Sequence, residues 1–423
     1  MTDVQPFRAL RYDPRKVALD KVLAPVYDVV APEDRGHYYD RDPHNALQLE
    51  LTRRVDDEAE TDYSEVAERL AAWRQEGVLR LDEAPALYVL RQRFEAPEGG
   101  HFERIGFYGA LRLEPYARRI VRPHERTLAG PKADRLKILR ASRTNLSSVF
   151  MLYEDRDAKL EAILLHALSG EGGVEVRDDA GIEHRLVPLR APAAVQAVQA
   201  FLAPRPVVIA DGHHRYETAL GYRDERRAAG EDGAEAPPER VFSYFANAFA
   251  PGNLLLPIHR LVLEGDVPQD ADWAALSQGG WQQQCVAVGG AETLPAALAE
   301  HLAPLGDCYA FAADDGSGSL RIFSRPAEAE LSVRVIHTEV LGGIFGLDDE
   351  AVRAGAVAFP KSALQTAKDL RQGRGRVALY LNPLRPDDVF RVTEAGETLP
   401  QKSTFFYPKL PTGLLFRALE KGT

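Results

Sequence analysis

Residues 204–220 read PRPVVIADGHHRYETAL, which places an acid, a glycine, two adjacent histidines and an arginine on one short turn. The β-branched run 206–210 predicts a buried strand, and 215–227 has helical periodicity with Tyr216, Ala219 and Leu220 facing inward. Gly212 then falls at a strand-to-helix turn. The first amides of such a helix lack intrahelical partners and have the positive dipole end behind them, which favours an anion. Gly212 permits close backbone approach, and Arg215 adds a fork of charge-assisted donors. His213 and His214 can donate to phosphate oxygens or shuttle a proton. The plain alternative makes Asp211 an N-cap and the histidines ordinary core or surface residues. A metal cage is the third reading. Adjacent histidines project to different sides, unlike a pair at i and i+4, although Asp211, one of these histidines and His124 could converge.

A second dense cluster is PHERTLAGPKADR (123–135), with His124, Glu125, Lys132, Asp134 and Arg135 around a Gly-Pro turn. Phosphoryl transfer needs cations on the phosphate oxygens and a carboxylate that takes the acceptor's proton or holds magnesium. Glu125 suits the carboxylate role, and Lys132 and Arg135 suit the cationic one; a solvated charged loop is the alternative. Tyr27 and Asp28 end the apolar segment of APVYDVVAPEDR (24–35), where Asp28 either orients substrate or caps the next turn. His259 and Arg260 lie in an apolar strand, where such a pair serves packing and one salt bridge. KSTFFYPKLPTG (402–413) sets Lys402, Ser403, Thr404, Tyr407 and Lys409 among aromatics. These could stack a base and hold a phosphate, or form a tail docked on the first domain.

Strand and helix patterns alternate along the chain. Helices are predicted over 63–77, 133–145 and 157–170, and strands over 105–113 and 146–153. The segments 240–249 and 254–263, joined by APGN, read as a hairpin. Beyond residue 265, helices are expected near 291–303 and 361–372, with strands near 308–313, 319–324 and 376–382. The fold class is therefore α+β (mixed α/β), with domains 1–265 and 266–423.

The chain has 423 residues, 45% hydrophobic and 27% charged, with a formal net charge of −11. That acidic balance disfavours nucleic acid, whose grip needs clustered Lys and Arg. It leaves room for a basic pocket holding one small anion. No apolar leader or membrane-length stretch is visible, and Cys285 and Cys308 form neither a disulfide framework nor a cysteine metal site, so the expectation is a cytoplasmic protein.

IADGHHRYETAL resembles the signature of an uncharacterised bacterial and archaeal family. FRALRYDPRKV (7–17), APVYDVVAPEDR, the stretch 122–153 and QKSTFFYPKLPTGLLFRAL (401–419) agree with it. More distantly, Asp-Gly-His-His-Arg is similar to the phosphate-binding motif of free serine kinases in the ParB/sulfiredoxin superfamily. The resemblance implies a ParB/sulfiredoxin-like N-terminal domain followed by a C-terminal α/β domain. It implies phosphate or nucleotide binding by Gly212, His213, His214 and Arg215. The expected activity is a nucleotide-dependent phosphotransferase on a small hydroxyl metabolite, with serine as the leading acceptor and ATP or ADP with Mg2+ as donor. Glu125, Asp211 and His213 are the expected catalytic residues. Lys132 and Arg135 join the phosphate site, Asp28 and His124 hold substrate, and no dedicated metal site is expected. A metal-dependent hydrolase and a ParB-like nucleotide-switched binding protein are the alternatives, the latter disfavoured by the charge.

Overall fold

The apolar run before the Asp-Gly-His-His-Arg turn forms the strand Val207–Asp211, buried except at its last residue. Val208 and Ala210 face a core that includes Phe150 and Phe242, while Val207 and Ile209 face another that includes Met151 and Tyr216. A strand covered on both faces needs a continuous apolar run rather than alternation. Each fully buried Val or Ile contributes roughly 1.5–3 kcal/mol. The computed structural model describes the whole chain except residues 54–60, 128, 171, 232, 401 and 423.

Val207–Asp211 is the second strand of a nine-stranded mixed sheet. It runs parallel to Val121–Arg122 on one side and antiparallel to Val149–Tyr153 on the other. Beyond these come Arg240–Asn247, His101–Arg112, Leu87–Glu95, Glu183–Leu189 and Val174–Arg177 in that order, with Val4–Gln5 added on His101–Arg112. The register slips between Ile209 and Asp211. Such a bulge turns the strand end and re-aims the side chain that follows.

The helices Ser64–Gln75, Ala129–Ser142 and Glu161–Leu168 occupy the segments expected to be helical, the second beginning four residues early. The hairpin expectation over 240–263 does not hold. Every residue of Arg240–Asn247 is buried, and the strand sits between His101–Arg112 and Val149–Tyr153. Both of its edges are therefore already occupied. The following run is broken at Pro257, which has no amide hydrogen to donate. Leu254–Leu256 pairs instead with Phe405–Tyr407, and Arg260–Val262 enters a second, six-stranded antiparallel sheet.

That second sheet runs Gln282–Ala287, Ser319–Pro326, Cys308–Asp314, Val377–Leu381, Arg260–Val262, Val357–Ala358, with Leu294–His301 and Ala363–Arg371 against it. The chain then returns to the first sheet's neighbourhood. Phe405–Tyr407 meets Leu254–Leu256, Arg417–Ala418 meets Thr144–Asn145, and bridges join Leu10 to Phe416 and Ala24 to Thr412. Arg104, fully buried, donates to the Pro408 carbonyl at 2.7 Å. The tail is thereby fixed beside the Asp-Gly-His-His-Arg turn. Among the described residues no helix is long and apolar enough to cross a membrane.

Candidate functional site

The helix after the strand is His213–Ala228, two residues longer at its start than the sequence pattern suggests, so both histidines lie in its first turn. Gly212 is the cap residue, at φ 89° and ψ 32°. That left-handed conformation is open to glycine at little cost. A Cβ here would also lie 2.8 Å from Arg215 Nε, so the group that approaches Gly212 is the chain's own guanidinium. Gly212→Ala is expected to lower unfolding free energy by about 1–3 kcal/mol, read from urea midpoints at constant m. A change below about 0.5 kcal/mol would show that the turn tolerates a side chain.

Arg215 is held from two sides. Its Nη2 donates to Asp211 Oδ2 at 2.5 Å, and its Nη1 donates to the Ser148 carbonyl. Asp211 also accepts from Lys409 of the tail. Burial would raise the Asp211 pKa, but Lys409 and Arg215 outweigh it and hold the carboxyl well below the usual range.

The 123–135 cluster meets this turn through the histidines. His213 Nδ1 faces Glu125 Oε1 at 3.0 Å, an ion-pair distance off the line of an ideal hydrogen bond. Its Nε2 accepts from the His124 amide at 3.3 Å. His124 Nδ1 lies 2.5 Å from the Ile209 carbonyl and can only donate there, which leaves Nε2 to accept from the Thr404 hydroxyl at 2.8 Å. The two imidazoles stand edge to face at 4.6 Å. Burial, followed by the neighbouring His213, pushes the His124 pKa down to about 3, so its ring is neutral at physiological pH. Burial works against ionised Glu125, but His213 and His124 prevail and hold it at about 2. His214 is lowered chiefly by burial.

These groups open on a cavity of about 430 Å³. Asp28, His124, Glu125, Asp211, His214 and Arg135 line it. His213 and Arg215 sit behind its wall, while Lys132 lies outside the lining and binds Glu217 at 2.8 Å. Arg135 is engaged by Asp134 at 2.5 Å and Glu50 at 3.4 Å, and its guanidinium lies 4.0 Å from the Tyr27 ring centre. Asp28 reaches water through the cavity yet has protein on most sides; burial and then the Asp211 charge raise its pKa.

The rest of the lining comes from later in the chain and includes Lys361, Lys402, Thr404, Phe405 and Lys409. Lys402, Thr404 and Lys409 were visible in the tail motif. Lys361 was missed; its only local signal is a lysine after Pro360 at the start of a helix. Among the described residues no group of three or more His, Cys, Asp or Glu is arranged to hold a metal ion. Both nitrogens of His124 and of His213 face partners within the protein.

Residues 4–278, well over half of the chain, match the family described as "Protein of unknown function (DUF1015)". The chain belongs to that family. No curated protein matches it. Among solved structures, a conserved hypothetical protein from Pyrococcus furiosus is similar over 71% of this chain and 92% of its own, at 15% identity and a TM-score of 0.34. A mutant free serine kinase in complex with AMP is similar over 70% of this chain and 89% of its own, at 14% identity and a TM-score of 0.35. SbnI with a C-terminal truncation, from Staphylococcus aureus, covers 75% and 90% at 11% identity and a TM-score of 0.35.

Proposed function

We propose that this chain transfers a phosphoryl group from ATP or ADP to the hydroxyl of a small metabolite, as a serine kinase does. The observation that carries the reading is one cavity lined by Asp28, Asp211 and Glu125 together with Lys361, Lys402 and Lys409. Phosphoryl transfer is mainly positioning plus electrostatics: cations hold the phosphate oxygens, and a carboxylate accepts the acceptor's proton. A volume of about 430 Å³ suits a small ligand. In this reading Glu125 takes the hydroxyl proton, with His213 fixing its orientation, and Asp28 holds the acceptor. Asp211 ties Lys409 and Arg215 to the turn, and the first-turn amides after Gly212, with His214, complete the phosphate side. Magnesium would enter bound to the nucleotide's phosphate and water oxygens, where its charge counters theirs. Serine is the acceptor that the sequence resemblance favours.

The hydrolase alternative asks His124 and His213 for lone pairs that they give to the Thr404 hydroxyl and the His124 amide. The kinase reading asks nothing of them but orientation. A thermal-shift series with ATP, ADP and AMP is the first test. Ligand at a hundredfold excess over Kd adds about 2.7 kcal/mol, enough for a clear rise in melting temperature. A phosphoryl-transfer assay with serine and other small hydroxyl acceptors follows. If no nucleotide at millimolar concentration raises the melting temperature and none is turned over, the reading is wrong.

A further inference from the structure

We infer that a diphosphate or triphosphate chain is seated on Lys361, Lys402 and Lys409, so that the anion-binding wall of the cavity comes from the chain beyond the first sheet. The inference deepens the phosphotransferase reading and rests on it for the nucleoside part of the ligand.

The cations of the Asp-Gly-His-His-Arg turn and of the 123–135 cluster are already neutralised inside the protein. Arg215 is engaged by Asp211, Arg135 by Asp134 and Glu50, and Lys132 by Glu217. Of the tail and second-sheet lysines, Lys409 shares Asp211 with Arg215. Among the described residues, Lys361 and Lys402 have no carboxylate within ion-pair distance. Both line the cavity, as Lys409 does.

Two of the three ammonium groups also share one aromatic ring. Lys361 Nζ lies 3.9 Å and Lys409 Nζ 5.2 Å from the centre of the same Phe405 ring. Lys361 follows the second sheet's edge strand Val357–Ala358, whereas Lys402 and Lys409 flank the tail strand Phe405–Tyr407. Burial, then repulsion from Lys409 and Lys402, lowers the Lys361 pKa. Cations crowded against each other are unfavourable until an anion sits between them, and a cleft lined by one sign of charge concentrates that anion. Part of this cost is met by the face of Phe405. The remainder is available to a ligand.

The carboxylates that share the cavity bear on the ligand's direction. Asp28 and Glu125 would repel phosphate oxygens, so the anionic end belongs against the lysines and the hydroxyl acceptor against the carboxylates. A monocarboxylate would meet one ammonium group, whereas adjacent phosphates of one chain reach several. That favours a polyphosphate over a simple acid.

The test is calorimetric titration of the full chain at about 0.1 M salt, where exposed charges are already screened beyond about 10 Å. Inorganic pyrophosphate, ADP and AMP are the probes. Lys361→Gln and Lys402→Gln are each expected to weaken pyrophosphate and ADP by about tenfold, since each removes a charge-assisted hydrogen bond. The double variant should lose roughly a hundredfold, AMP should suffer less, and Lys361→Arg should retain most of the affinity. Unchanged melting temperatures certify folding, and the arginine variant covers the case where glutamine disturbs it. ADP binding that stays within about twofold of wild type in both glutamine variants overturns the lysine wall and leaves the nucleotide reading standing. Pyrophosphate binding that the variants abolish, in a chain that binds no nucleotide, upholds the wall and overturns the nucleotide. Binding of neither probe by the wild type overturns both.

Discussion

Glu125→Gln is expected to lower phosphoryl-transfer turnover by roughly 10²–10⁴-fold, the range that one positioned proton acceptor supplies. Nucleotide affinity should stay within about threefold, because the lost interaction is made mainly in the transition state. Glutamine keeps the shape of Glu125 but takes no proton. It also presents an amide where His213 Nδ1 now faces a carboxylate oxygen at 3.0 Å. The His213 tautomer is otherwise held by the His124 amide at Nε2. Single-turnover rates and nucleotide titrations of the same preparation separate the two parameters. Equal losses in both would make Glu125 a binding or folding residue.

Asp28 is the competing proton acceptor, and the acid limb of kcat/KM distinguishes the two. Glu125, held at about 2, stays ionised wherever the protein is folded, so a rate that depends on it is flat on the acid side. Asp28 is raised by burial and by Asp211. A rate that depends on it falls with pH from a point above the ordinary carboxylate value of about 3.9. A limb in that position, absent in Asp28→Asn together with most of the activity, would transfer the role to Asp28.

The local part of the site was legible because its signals are local. A β-branched run, a glycine and a helical repeat identify the strand Val207–Asp211, the Gly212 turn and the helix after it without reference to the rest of the chain. Types alone could not say which charges remain open. Arg215 reads as a phosphate ligand, yet a buried guanidinium needs partners within the protein, and Asp211 and the Ser148 carbonyl supply them. Lys361 lies far from the turn in sequence and reaches the cavity only because the chain crosses to a second sheet and returns. The hairpin expectation failed for a related reason. Two apolar runs separated by a turn suggest pairing, but the first strand's neighbours were set by sheet order across distant segments.

Stability is expected to fall by about 4 kcal/mol between pH 7.5 and pH 5, from two buried histidines at about 2 kcal/mol each. His124 and His259 are each about 2% exposed, and burial, joined by His213 in one case and Arg260 in the other, pushes both pKa values down to about 3. An unfolded histidine titrates near 6.5. Below that value the unfolded chain binds a proton that the folded chain refuses, so unfolding becomes easier as pH falls, and the loss is complete only below about 3. Each group gives a slope approaching 1.36 kcal/mol per pH unit inside that window. Glu125 and Asp211 stay out of it, since their lowered pKa values release stability only below the ordinary carboxylate range of about 4. Asp28 acts in the opposite sense, because a raised folded pKa favours the folded chain as pH falls, whereas His214, lowered chiefly by burial, adds to the loss. A domain typically holds 5–15 kcal/mol in total, so the change is large. Urea unfolding at pH 7.5, 6.5, 5.5 and 5.0 measures it, and His124→Gln or His259→Gln should each remove about half of the slope whatever it does to absolute stability. An unfolding free energy independent of pH over this range would mean that neither ring is kept neutral by burial.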